Sequence, residues 1–407
     1  MRAYERLLRY VTIHTASDEG SSSTPSTARQ FELARLLAEE MRQLGLENVE
    51  LDDHCYVYGT LPATPGFESA PAVGFIAHMD TSPEFAGENV RPRLIENYDG
   101  KDIPLGDSGR VIPVSLLPYL PDLAGRTLIV TDGTTLLGAD DKAGIAEIMT
   151  MAEEIRETGM PHGEICFCFT PDEEVGRGTE HFDLERFGAY CAYTVDGGPE
   201  GEVVSENFNA CGADVYFTGV NMHPGASKDV MVNAALVAME FNAMLPAGDT
   251  PRHTRDREGF FHLTAMEGGV ESASLRYIVR DHDAAAFSLR KAMLEHAAAL
   301  LNEKYGPDTV RLTLREQYRN MAEKIEPEYH SVVEKAIRAT RSAGLEPRTD
   351  PIRGGTDGAM LSWRGLPCPN LGTGGYAFHG PYEHISVEGM DKAVQVLINI
   401  VKEWTKF

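Results

Sequence analysis

Four apolar runs constrain the fold more than anything else in the chain: Ala72 to Ala77, Leu128 to Val130 within Arg126 to Thr131, Glu164 to Phe169, and Cys191 to Val195. Each ends in a loop that carries an acidic residue or a histidine. Runs of this length bounded by turn formers read as strands covered on both faces, as in a parallel sheet between helices. Helical stretches alternate with them, Ala28 to Leu44 closed by Gly45, and Ala143 to Thr158. The expected fold class is therefore α/β, a mostly parallel sheet flanked by helices. Open sheets of that kind bind ligands at the carboxyl ends of their strands. His78-Met79-Asp80, Gly138 to Gly144, Thr170 to Gly176 and Asp196-Gly197-Gly198 fall there.

The chain's 407 residues exceed what a single core usually serves, and 42% of them are hydrophobic. After about residue 207 the pattern changes. Alternating strands at Asp214 to Thr218, Phe261 to Ala265, Leu275 to Val279 and Val310 to Leu314 are separated by helices at Val230 to Met244 and Ala284 to Tyr305, the makings of a small α+β domain. From Met321 the first pattern returns, with a helix over Glu328 to Ala343, a loop at Arg353 to Gly358 and a terminal helix over Val387 to Lys402. Residues 1–207 and 321–407 then form one discontinuous domain, with 208–320 inserted. Between Thr81 and Leu123, dense Pro, Gly and Asn predict loops and short strands, and Ser26 or Thr27 is expected to cap the helix that follows.

Against 62 Asp and Glu stand 37 Lys and Arg, a formal charge of -25, which argues against nucleic acid and anionic membrane as partners. No run of about eighteen apolar residues occurs, so no transmembrane span is expected. Met1 to Leu8 reads as a charged amphipathic helix without a signal-peptide core. The six cysteines read as reduced, buried thiols of a cytoplasmic protein, and Cys166-Phe167-Cys168 lacks the usual metal-binding spacing.

Candidate chemistry gathers in His78, Asp80, Asp140, Glu173, Glu174, Asp196 and, later, His379. Adjacent carboxylates at Asp140-Asp141 are costly unless positive charge faces them. Lys142 and a metal ion both qualify, and one of the pair also reads simply as a helix cap. Two histidines with several carboxylates and no thiolate are a ligand set for zinc or a similar divalent ion. With Asp140 as a bridge between two ions, His78 and Asp196 complete one and Glu174 and His379 the other. Asp80, two residues after His78 in an extended segment, faces the same way and can accept its second ring N–H. Glu173 can carry a proton from water to a leaving amine, while Glu173-Glu174 also reads as an exposed charge pair opening a helix. Any one of these residues alone is more often a cap or a solvated side chain. Their joint occurrence at four strand ends favours the metal site.

These segments, His78-Met79-Asp80, Gly138-Ala139-Asp140-Asp141-Lys142-Ala143-Gly144, Pro171 to Gly176 and Val195 to Gly198, resemble the successive motifs of the M20 metallopeptidases. With Glu206 to Ala210, Arg353 to Gly358, Pro369 to Gly375 and His379, the resemblance runs nearly end to end, to the branch of tripeptide aminopeptidases. It implies two zinc ions per subunit, with cobalt or manganese as substitutes, held by His78, Asp140, Glu174, Asp196 and His379, with Glu173 as general base and Asp80 as the orienting acid. It also implies release of the N-terminal residue of a tripeptide by attack of a water bridging the zinc ions. The inserted domain resembles a lid that in many members also makes homodimers. His223 matches a lid histidine that reaches the scissile carbonyl, and reads equally as a turn residue before Pro224. Arg280 and Arg353 are candidates to fork onto the substrate's terminal carboxylate, Asp281 and Asp283 being alternative partners for Arg280. Two other functions stay open: another M20 amidohydrolase (carboxypeptidase, dipeptidase or N-acyl amino acid deacylase), and a non-catalytic peptide binder, which would have no need of a free Glu173.

Overall fold

The structure is a computed structural model that describes residues 1–326 and 328–406, Asp107 by its backbone alone; Pro327 and Phe407, both in the range expected for the first domain, lie outside the described residues. Two units divide the chain: Met1–Ser205 with Glu323–Asp350 and Thr356 onward, and Glu206–Ala322 with Pro351–Gly355. Residues 351–355, which the sequence pattern groups with the first domain, cluster with the second unit.

In the first unit, Val73–His78 and Ile165–Thr170 are buried at every residue, as strands covered on both faces should be. They pair in parallel, and Val73–His78 also pairs in parallel with Cys191–Gly197, which pairs in parallel with Asn370–Gly372. Antiparallel strands flank these four, Val57–Leu61 and Glu47–Leu51 on one side and Val203–Val204 on the other, giving a seven-stranded mixed sheet. His78 lies opposite Thr170, and Ile76 opposite Thr194, so three strands end side by side.

Leu128–Val130 is not in this sheet. It pairs antiparallel with Arg93–Ile95 and His384–Ser386 in a separate four-stranded sheet. Its apolar character has a local cause: Leu128 and Val130 pack with Tyr98, Ile103, Leu105, Ile112, Leu120 and Leu123 in a small core belonging to the excursion that leaves the main sheet at His78. Hydrophobic pattern reports burial, not which sheet does the burying.

Helix Ala139–Thr158 is buried along most of its length, between the sheet and helices Ala3–Tyr10 and Val387–Trp404. It crosses Cys191–Gly197 at Gly144, where a β-carbon would stand 1.8 Å from the Val195 carbonyl oxygen. Only glycine permits that approach, and it occurs one residue before Asp196.

The second unit is an antiparallel sheet in the order Phe260–Gly268, Ser272–Asp281, Asn209–Thr218, Val310–Tyr318. Burial alternates along Ser272–Asp281 because helices Ala234–Ala243 and Ala284–Tyr305 cover one face, around Phe217, Phe241, Leu275, Val279 and Leu294. The first of these helices, expected from Val230, starts at Ala234 because Asn233 Oδ1 accepts the Ala235 N–H at 3.1 Å and caps it. Among the described residues no helix is long and apolar enough to cross a membrane.

Gly144→Ala is expected to lower unfolding free energy by about 1–3 kcal/mol through overpacking, outweighing the roughly 1 kcal/mol that alanine gains over glycine in a helix. Urea denaturation measures it; an unchanged midpoint would mean that helix and strand have slack at this crossing.

Candidate metal centre

The Asp140 carboxylate lies between two histidines. Its Oδ1 is 3.0 Å from His78 Nε2 and its Oδ2 is 3.1 Å from His379 Nε2. Asp196 Oδ1 stands 3.5 Å from His78 Nε2, and Glu174 Oε2 stands 3.0 Å from His379 Nε2. The donors thus fall into two groups that share Asp140. Ligand atoms of His78, Asp140 and Glu174 all lie within 4.8 Å of one another. Glu174 Oε1 is buried without a hydrogen-bond partner. Nitrogen and oxygen donors, an unused buried carboxylate oxygen and an excess of acid over base fit divalent cations.

The proton affinities reflect that excess. Burial pushes Glu174 up to about 8, helped by the Asp140 charge, and pushes Asp196 up to about 6. Burial would raise Asp140 as well, but hydrogen bonds from His379 and His78 bring it below the usual carboxylate range. Hydrogen bonds to Asp140 and Glu174 raise His379 to about 11. Glu173 is raised by burial and next by Asp196. So many acids cannot all be ionised here without added positive charge.

Neighbouring acids hold the donor segments in place. Asp141 Oδ2 accepts the His78 N–H at 3.1 Å and its Oδ1 the Gly144 N–H at 3.2 Å. Asp141 is therefore the helix cap, and Asp140 the residue that faces the histidines; the peptide bond between them is cis. Lys142 is not their counter-charge: its Nζ donates to the Ile13 carbonyl at 2.7 Å, and burial brings it down to about 7. Asp80 accepts the Glu173 and Glu174 N–H groups at 3.0 and 3.2 Å. Its Oδ1 is 3.3 Å from His78 Nδ1, while its own backbone carbonyl is closer to that nitrogen, at 3.0 Å. Orientation of His78 is thus shared between carboxylate and carbonyl. Glu173 and Glu174 open the short 3-10 turn Glu173–Val175 and are partly buried, not an exposed pair.

Three further acids at the centre escaped the sequence pattern. Glu383 accepts the N–H groups of Leu137, Gly138 and Asp140 at 2.7, 2.8 and 3.1 Å; nothing in the residues around it signals this. Asp172 accepts from the Ser26 N–H and Gln30 Nε2, both at 2.7 Å, which is where Ser26 goes instead of capping the next helix. Asp357 is buried, accepts the Thr170 hydroxyl at 2.9 Å and is pushed by burial up to about 7. It opens helix Asp357–Trp363, whose N-cap Thr356 was a readable signal.

The other candidates belong to the second unit. His223 is exposed, and its Nδ1 accepts the Gly225 N–H at 3.1 Å, the geometry of a turn residue. Arg280 Nη1 donates to the Val279 carbonyl at 3.0 Å and its guanidinium lies over the Tyr318 ring, while Asp281 pairs with Arg290 and Asp283 caps a helix, so neither acid is its partner. Arg353, expected to fork onto a carboxylate, meets groups of its own unit. Its Nη1 donates to the Asp256 and Glu258 carbonyls at 2.8 and 3.0 Å, its Nη2 donates to the Thr254 hydroxyl at 2.9 Å, and Phe208 and Phe260 stack on it. Arg353 anchors residues 351–355 to the second unit. Asn207, Asn209 and Asn320 do the same for their segments: Asn207 Oδ1 accepts the Met321 N–H at 2.7 Å, and Asn209 Oδ1 the Asn320 N–H at 3.0 Å.

Comparison with known proteins follows the same lines. Residues 131–403 match the family model described as Peptidase family M20/M25/M40. Peptidase T of Clostridium perfringens is 52% identical over 402 residues, 98% of each chain. The crystal structure of aminopeptidase PepT from Bacillus cereus superposes with a TM-score of 0.79 at 24% identity, covering 100% of this chain and 98% of that one. A Bacillus subtilis protein described as a dinuclear metal binding peptidase of the M20 family superposes at 0.66 with 14% identity, over 98% and 97% of the two chains. The chain therefore belongs to peptidase family M20/M25/M40 and, within it, to the peptidase T family.

Proposed function

We propose that this chain is a metal-dependent aminopeptidase that releases the N-terminal residue of tripeptides. Asp140 is the principal support, because its two carboxylate oxygens face His78 and His379 separately, at 3.0 and 3.1 Å. A carboxylate placed between two histidines in this way would suit a pair of divalent ions. His78, Asp140 and Asp196 would hold one ion, and His379, Asp140 and Glu174 the other. The ions would be zinc, with cobalt or manganese able to replace it. When bound, such ions would supply Lewis acidity toward the scissile carbonyl and toward water at the centre.

Glu173 takes a proton from that water on its carboxylate and delivers it to the departing amine. Asp80 fixes the turn that carries Glu173 and Glu174 through their N–H groups. With His223 Nδ1 accepting from Gly225, the ring proton falls to Nε2, which is assigned to the developing oxyanion. Arg280 is assigned to the substrate's carboxylate. Leu236 and Met239, 61% and 58% exposed on helix Ala234–Ala243, support a homodimer formed through the second unit. Six unpaired, buried cysteines suit a reducing, cytoplasmic setting.

Zinc-loaded protein is expected to release the N-terminal residue from a free tripeptide, identified by mass, and to leave its N-acetylated form, the dipeptide and the tetrapeptide intact. Glu173→Ala should lower kcat by about 10²–10⁴. Cleavage of the acetylated peptide would point to a deacylase or carboxypeptidase, and full activity in the variant would remove Glu173 as the base. A second expectation concerns metal removal. The folded values of Glu174 and Asp196, about 8 and about 6, lie above their ordinary 4.5 and 3.8, so the metal-free native chain holds protons that the unfolded chain has released. The contribution of these two groups to its stability is then fully present in acid and is lost as pH rises through those values. Zinc at fixed concentration should therefore raise the melting temperature more at pH 8 than at pH 6, the values about which these groups titrate. The gain amounts to about 2.7 kcal/mol where zinc stands at a hundred times its Kd. Equal melting with and without zinc at both pH values would count against the metal pair.

A further inference from the structure

The first unit carries an open cavity of about 390 Å³ that the proposed chemistry does not use, near the lower end of the roughly 300–1,000 Å³ typical of small-ligand pockets. Tyr119, Leu123, Pro199, Tyr376 and Phe378 line it, with Gly198. Two of these residues continue directly from metal-binding segments: Gly198 follows Asp196 by two residues, and Phe378 immediately precedes His379. Consecutive Cα atoms are 3.8 Å apart, so the wall begins within about 8 Å of the Cα atoms of both candidate ligands. Ala377 and His379, on either side of Phe378, adopt left-handed φ angles of 53° and 63°. Across this bend, His379 Nε2 meets Asp140 and Glu174 while Phe378 joins the cavity wall against Gly375, where a β-carbon would stand 2.6 Å from its ring.

The wall is braced from behind. Tyr376 stacks on Tyr119 at 4.9 Å and on His384 at 5.4 Å between ring centres. Tyr119, Leu123 and Tyr376 all rest on the small core of the excursion. Asp122 and Arg348 are the charged members of the described lining, and both are exposed.

We propose that this cavity receives an apolar or aromatic side chain of the tripeptide, from a residue flanking the scissile bond, and sets the side-chain preference of the enzyme. The inference rests on the proposed function. Only residues next to the scissile carbonyl start close enough to the metal centre to reach a wall that adjoins it. Apolar side chains gain by leaving water there, and a charged one would be desolvated against the Tyr119, Tyr376 and Phe378 rings, with Asp122 and Arg348 exposed and already solvated.

Two series of free tripeptides test this with zinc-loaded enzyme, X-Ala-Ala and Ala-X-Ala, where X is Ala, Leu, Phe, Asp or Lys. In one series kcat/KM for Phe and Leu should exceed that for Ala by about 10–200-fold, with Asp and Lys below Ala. The other series should be nearly flat, which identifies the residue that enters. Tyr119→Ala and Phe378→Ala should each cut the Phe-to-Ala ratio in the responding series at least about tenfold. A purely structural role would slow all peptides alike and leave the ratio unchanged. Flat wild-type series, or an unchanged ratio in the folded variants, overturn the cavity assignment and leave the aminopeptidase standing. No hydrolysis of any free tripeptide overturns the function on which the assignment rests. The wild-type series decides even where a variant does not fold.

Discussion

Buried carboxylates outnumber the positive groups that face them at this centre, and the loops around it are arranged by how each acid is satisfied. Asp80, Asp141, Asp172 and Glu383 accept N–H groups of neighbouring segments. Asp140, Asp196 and Glu174 instead face histidine nitrogens. The first group is bracing and the second is available to cations. The braces also cross between segments: Asp141 holds His78, Asp80 on the His78 loop holds Glu173 and Glu174, and Glu383, four residues beyond His379, holds Gly138 and Asp140. Removing any one acid would free a buried N–H as well as a charge, and unsatisfied buried groups are more costly than a lost bond.

Asparagines do comparable work in the second unit. Asn207, Asn209 and Asn320 tie together chain segments that are far apart in sequence, and Arg353 ties in residues 351–355 through carbonyls and two phenylalanine rings. Residues 351–355 are the separate segment of this unit, and the Arg353 bonds tie them to 206–322.

The excursion between His78 and helix Ala139–Thr158 reads locally as a loop, yet it has its own core and contributes Leu128–Val130 to a separate sheet. That sheet also contains His384–Ser386, which directly follows Glu383. The excursion therefore supports the centre from behind and supplies Tyr119 to the aromatic cavity beside it.

Much of the fold was legible because its signals are local. Continuous apolar runs ending in acids or histidines announce buried strands with a site at their ends, and period and caps mark most helices. That His78, Asp140, Glu174, Asp196 and His379 would come together was suggested for the same reason: four of the five sit in or just beyond strand ends. Adjacent residues of the same chemistry were not separable. Asp140 and Asp141 differ only in what reaches them, and Lys142 beside them looked like a counter-charge until the Ile13 carbonyl took it. Glu383, whose N–H donor at Gly138 lies 245 residues away, leaves no local trace. Arg353 looked like a carboxylate fork because its own segment contains nothing to occupy it. Sequence alone thus determined the strand core and the kinds of donor at the centre, through burial and residue chemistry that each segment carries with it. Which acid faces a histidine and which accepts backbone N–H groups was decided only by tertiary structure, because hydrogen-bond partners are supplied by distant segments.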